Sequence, residues 1–173
     1  TWNPQRITHW RLVPSPAAGA GMALACGPKG APVFAVKTSS KGTLPDDGFA
    51  WQSPARELSS DVSTPLFYRG RFYVVNSDRR QVFAVQPADG KILWQGELPG
   101  RAKIESSPTA ADGRIHLISH TGEVFVVGTG DSFELLHSAA MGDETDRSVR
   151  STIAIAHGTL FIRTTRQLYA VGP

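Results

Sequence analysis

The chain has 173 residues, 40% of them hydrophobic and 19% charged, with a formal net charge of +3. That is enough chain to bury a sizeable core, and no apolar run approaches the length of a membrane helix. The 13 arginines and 5 lysines are scattered (Arg6, Arg69, Arg114, Arg166) and form no phosphate-tracking patch, which argues against a nucleic-acid partner. The single cysteine, Cys26, excludes an internal disulfide, and no Cys/His spacing has the form of a zinc site. Within the run Met22 to Cys26 it reads as a buried, inert thiol. Thr1 is not an initiator, so the chain reads as an excised piece, and the absence of a leader is silent on export.

Taken in order, Ile7-Thr8-His9-Trp10 predicts an outer strand ending on an aromatic residue. Ser15-Pro16 comes next, then the apolar run Met22 to Cys26, the tetrapeptide Val33-Phe34-Ala35-Val36, a long irregular turn over Thr38 to Gly48, and Trp51. The same signals return as Thr64-Pro65, Phe72 to Val75, the turn Asn76-Ser77-Asp78, Val82-Phe83-Ala84-Val85, a turn at Asp89-Gly90, and Trp94. A third round runs Ser107-Pro108, Ile115 to Ile118, His120-Thr121-Gly122, Val124-Phe125-Val126-Val127, and an outer strand in the region Phe133 to Leu136. A fourth runs Ser151-Thr152, Leu160 to Ile162, and Leu168-Tyr169-Ala170-Val171, with no outer strand after it.

The four tetrapeptides start at 33, 82, 124 and 168, so the gaps are 49, 42 and 44 residues. A self-similar period in the forties marks a repeat architecture, in which each unit buries its apolar faces on its neighbours. The runs do not alternate apolar with polar residues, as strands covered on both faces need not. Helical periodicity is absent, and proline at the start of each round suits an edge strand, which needs no N–H for a ladder bond. These signals predict an all-β propeller of about four blades of four-stranded antiparallel sheet, three complete and a split fourth. The corresponding ranges are 1–12 for an outer strand, 13–58, 59–100 and 101–142 for blades, and 143–173 for a partial blade. Either the first strand closes a four-bladed ring, or the chain is the C-terminal portion of a larger one.

The stretch Ala84-Val85-Gln86-Pro87-Ala88-Asp89-Gly90-Lys91-Ile92-Leu93-Trp94 resembles the tryptophan-docking repeat of the PQQ-like β-propeller family, with Gln86 where that family usually has Asp or Asn. The resemblance spans nearly the whole chain at repeat level and implies docking roles for Trp10, Trp51 and Trp94. It also implies an extracytoplasmic (periplasmic or secreted) protein, and a non-catalytic scaffold that binds a protein partner, or a second copy of itself, through loops or blade edges. Two alternatives follow from the same family or fold. One is a fragment of a quinoprotein oxidoreductase using PQQ and calcium; the other is a carbohydrate-binding propeller, which would need aromatics such as Trp2 or Phe49 exposed on one face. The vicinal cysteines and inward tryptophan of the quinoproteins have no counterpart here, so no cofactor is expected and the enzymatic reading is disfavoured.

The loops leading into each innermost strand carry Asp61, Glu105 and the segment Gly142 to Arg150, with Asp143, Glu144, Arg147 and Arg150. These six are the expected partner or ligand contacts. Asp61 and Glu105 fall near equivalent positions, which suits a shared calcium ion or, more plainly, turn caps and pairing with Arg147 or Arg150. His116 and His120, four apart, are read as hydrogen-bonded residues rather than metal ligands, and His9, His137 and His157 are isolated. Gly128-Thr129-Gly130-Asp131 is a turn, because no helix follows it to hold a phosphate.

Overall fold

The structure, a computed structural model, describes residues 12–27, 30–54 and 56–173. The expected strand over Ile7 to Trp10, its docking tryptophan, and Trp2 lie outside those residues. Among the described residues there are fifteen strands in four antiparallel sheets, three of four strands and one of three. The first sheet is β1 (Ala17–Gly19), β2 (Met22–Cys26), β3 (Val33–Lys37) and β4 (Trp51–Gln52). The second is β5 (Leu66–Tyr68), β6 (Arg71–Asn76), β7 (Gln81–Val85) and β8 (Ile92–Glu97). The third is β9 (Thr109–Ala111), β10 (Arg114–Ile118), β11 (Glu123–Gly128) and β12 (Leu135–Ala140), and the fourth is β13 (Ala154–Ala156), β14 (Thr159–Arg163) and β15 (Leu168–Val171). Each sheet is a simple up-and-down meander, so each is one blade of a β-propeller.

The four repeated tetrapeptides are the third strands, and the apolar runs are the second strands. They lack alternation because successive side chains are buried against different neighbours. Phe72, Val74, Phe83 and Val85 pack on Leu24, Val33 and Ala35 of the first sheet. Tyr73, Val75, Val82 and Ala84, between them in sequence, pack on Ile115, Leu117, Phe125 and Val127 of the third. A smaller core joins Ile118 and Val124 of the third sheet to Ile153 and Ile162. Each large apolar side chain fully buried in this way contributes about 1.5–3 kcal/mol relative to an exposed one.

Three contacts recur between blades. The hydroxyl residues before the innermost strands form a relay: Ser15 N–H donates to Thr64 Oγ1 (3.1 Å), Thr64 N–H to Ser107 Oγ (3.0 Å), and Ser107 N–H to Thr152 Oγ1 (3.2 Å). The outer-strand tryptophans reach into the next blade's last turn, Trp51 Nε1 donating to Pro87 O (2.7 Å) and Trp94 Nε1 to Gly130 O (2.9 Å). Finally, aromatic rings lie on glycines of the adjoining blade: Phe67 on Gly19, Trp51 on Gly90 and Phe133 on Gly96.

One expectation moves. The third blade's outer strand starts at Leu135, and Phe133 belongs to the turn before it, where its ring centroid lies 5.9 Å from that of Trp94. The β1–β2, β5–β6, β9–β10 and β13–β14 hairpins share a two-residue turn with positive φ at both positions: Ala20-Gly21, Arg69-Gly70, Asp112-Gly113 and His157-Gly158. This is the turn type whose twist suits a tight hairpin. The antiparallel order then sets these turns at one end of the blades. The β2–β3-type turns and the connections between sheets lie at the other, called here the mouth end.

Candidate functional site

All six expected contact residues sit among the mouth-end connections, in three places: Asp61 at a cavity, Glu105 with Arg150, and Asp143, Glu144 and Arg147 on one loop. Between the first and second sheets, Gly30, Arg56, Ser59, Asp61, Asn76, Ser77, Asp78 and Arg79 line a cavity of about 360 Å³. The turn Asn76 to Arg80 is held by Asn76 Oδ1, which accepts from Arg79 N–H (3.1 Å). Asp78 pairs with Lys103 of the next connection at 2.6 Å. Arg56, at φ 66°, occupies left-handed backbone that non-glycine residues seldom adopt, and its N–H donates to Gly30 O (3.2 Å).

In the connection from the second sheet to the third stands Glu105. Its Oε2 accepts from Arg150 Nε at 2.6 Å and lies 3.1 Å from His120 Nε2. Burial raises the carboxyl's pKa, but the hydrogen bond and charge of Arg150, with the nearby His120, outweigh it and hold the group below its ordinary value. Asp61 and Glu105 therefore keep different company, and the pairing with Arg150 is the plainer of the two expectations for Glu105. His116 lies within β10 and is buried; burial and then Arg114 lower its pKa. His120 turns to Glu105, so the two histidines have separate surroundings. Among the described residues no group of three His, Cys, Asp or Glu side chains could hold a metal ion.

The segment 142–150 is a built loop. Asp143 Oδ1 accepts from Thr145 N–H (2.7 Å), and Asp143 N–H donates to Asp146 Oδ2 (2.8 Å). Asp146 Oδ1 also accepts from Thr165 N–H (2.8 Å), tying the loop to the β14–β15 turn. Bonds from Thr165 and from the Asp143 N–H hold the Asp146 carboxyl below its ordinary value, as those from Thr145 do for Asp143. Asp146 is buried, whereas Glu144 and Arg147 are exposed on the loop it fixes. Its anchoring role was not visible in the sequence, where it is one acidic residue among three in a polar run. The short-range pattern Asp143-x-Thr145 was the available signal for a turn, but Thr165 is 19 residues away.

Two other expectations meet their surroundings here. Cys26 packs beside the core of the first two sheets, and burial pushes its thiol up to about 12. Phe49 is half-buried and forms a T-shaped ring pair with Phe34, their centroids 6.1 Å apart. Trp51 and Trp94 are both buried and both donate to a neighbouring blade's carbonyl, the docking role expected of them.

Solved structures similar to the chain share its fold. BamB from Moraxella catarrhalis superposes with a TM-score of 0.66 at 16% identity, covering 88% of this chain and 46% of that one. The computationally designed Ika4 protein gives 0.71 at 11% identity, covering 99% and 97%. Quinohemoprotein alcohol dehydrogenase from Comamonas testosteroni gives 0.69 at 13% identity, covering 94% and 30%. The chain thus spans about half the length of the Moraxella protein. No curated protein sequence matches it. Residues 40–172 match the family described as outer membrane protein assembly factor BamB, and by that match the chain belongs to the BamB-like family of PQQ-repeat β-propellers.

Proposed function

We propose that the chain is a non-catalytic interaction scaffold that binds a protein partner outside the cytoplasm. The observation that carries this reading is the mouth end itself. Loops from successive blades are pinned by Asp78–Lys103, by Glu105–Arg150 and by Asp146, while Glu144 and Arg147 remain exposed on them. A rigid frame that holds exposed charged loops at fixed spacing is suited to recognising a folded surface. Membership of a family described by outer membrane protein assembly supports both the partner class and the compartment.

The outer edge of the fourth sheet is a second candidate contact. Among the described residues β15 pairs with β14 alone, and Leu168 (70%), Phe161 and Val171 are exposed on that sheet. An added strand, from a partner or from a second copy of the chain, would cover that edge. The test is co-isolation after cross-linking in the native host, with the full-length protein as bait. Reversing the mouth charges (Glu144→Lys with Arg147→Glu) is expected to lose a partner that His157→Glu, at the opposite end, retains. Identical partners from both variants, or tight binding of PQQ with calcium by the purified protein, would overturn the reading.

A further inference from the structure

We infer that the mouth-end cavity between the first and second sheets is a carboxylate pocket that receives an acidic side chain of a partner polypeptide. This rests on the scaffold reading and specifies the chemistry of one contact within it.

The cavity's lining contains two carboxylates and two guanidiniums. The carboxylates are already engaged: Asp78 pairs with Lys103 at 2.6 Å, and Asp61 has a partner of its own. Arg56 and Arg79 form no ion pair among the described residues, although both line the cavity. The fork of a guanidinium matches a carboxylate with two parallel hydrogen bonds, so two such forks left unpaired in one cavity favour an incoming carboxylate. A second, independent sign is Ser77. The residue is 4% exposed, and its buried Oγ has no hydrogen-bond partner. Buried hydroxyls in folded proteins are nearly always partnered by protein or water, so this one is open to a group supplied from outside the chain. The cavity, at about 360 Å³, holds more than a bare anion needs. Both arginines are themselves exposed, and an exposed ion pair alone is weak. A carboxylate tethered to a polypeptide that also touches the neighbouring loops meets that condition, whereas a free anion does not.

The test uses the purified full-length protein and a blocked hexaglutamate peptide, followed by amide NMR shifts at low salt. The expected result is shifts centred on Ser77 and Arg79, and at least about tenfold weaker binding in R56A/R79A. The variant K91A/R114A removes the same charge at the opposite end and is expected to bind within about twofold of the parent. Ser77→Ala is expected to weaken binding several-fold while leaving Tm unchanged or raised, because an unpartnered buried hydroxyl does nothing for the folded state. A merely structural role for Ser77 would lower Tm instead, and would overturn its part in the pocket. Equal weakening by both arginine-type double variants would reduce the effect to diffuse charge. Inorganic phosphate binding the same amides as tightly as the peptide would overturn the polypeptide source in favour of a free anion. The titration needs no natural partner. Mouth-end cross-links in the host without peptide binding would therefore sink the pocket alone, and peptide binding without cross-links would sink the scaffold alone.

Discussion

Glu105 shows how one side chain joins two blades and what that costs to disturb. Its carboxylate is largely shielded and shared between Arg150, on the entry to the fourth sheet, and His120, on the turn of the third. Because its pKa is lowered in the folded state, the unfolded chain binds the proton more readily. Stability from this group is therefore fully present above the unfolded value of about 4.3 and is lost as pH falls through the lower folded value. Glu105→Gln is expected to cost about 1 kcal/mol at neutral pH, a modest figure because Arg150 is mostly exposed. In urea denaturation at stepped pH, the gap between parent and variant should close below about pH 4. A gap that stays constant or widens in acid would contradict this account of Glu105. The residue itself was legible as a mouth-loop carboxylate, since charged residues in connecting loops stand out between apolar strands. Its partners were only half legible: Arg150 was among the candidates, whereas the role of His120 depends on a turn geometry that sequence does not give.

At the scale of elements, the contrast between Gly70 and Gly90 separates backbone conformation from packing. Both have nearly the same left-handed φ, 77° and 76°. A Cβ on Gly70 would meet nothing within 4 Å, whereas one on Gly90 would lie 2.5 Å from Trp51 Cε3. Gly70→Ala is expected to cost about 1–2 kcal/mol from the left-handed backbone alone. Gly90→Ala should lose that and a further 1–3 kcal/mol as the Trp51 ring is forced off its seat, read as the difference in chemical-denaturation midpoints. Equal losses would mean that the tryptophan dock contributes little to blade packing. The tetrapeptide strands were the most legible elements, because burial on both faces imposes an unbroken apolar run. Trp51 and Trp94 were legible as docking residues by their size and spacing. The Phe133 displacement was not, since a ring in a turn and a ring in a strand look alike when both pack on the same neighbour. The paired positive-φ turns repeat at 20–21, 69–70, 112–113 and 157–158 and were present in the sequence as a residue followed by glycine, a weak signal beside 17 glycines.

Across the whole molecule, the hydroxyl relay gives the blades a direction. It runs from Ser15 through Thr64 and Ser107 to Thr152, and among the described residues no bond of this kind returns from Thr152 to Ser15. The repeat of hydroxyl residues was legible, but its purpose was read as edge-strand chemistry, because a bond between residues 43 to 49 apart leaves no local mark. The cavity lined by Arg56, Ser77 and Arg79 was invisible for a related reason: its walls come from three separated segments, none of them distinctive alone. What the blades build together is a fixed mouth end, the proposed binding face. The most direct measurement is a photo-cross-linking scan in the native host, with a photoreactive amino acid placed singly at Asp61, Glu144 and Arg147 and, at the opposite end, at Asp112 and His157 of the full-length protein. Discrete adducts with one protein partner from the mouth positions, and none from the hairpin turns, is the predicted result. Adducts confined to the hairpin-turn end, or absent from every mouth position, would contradict it.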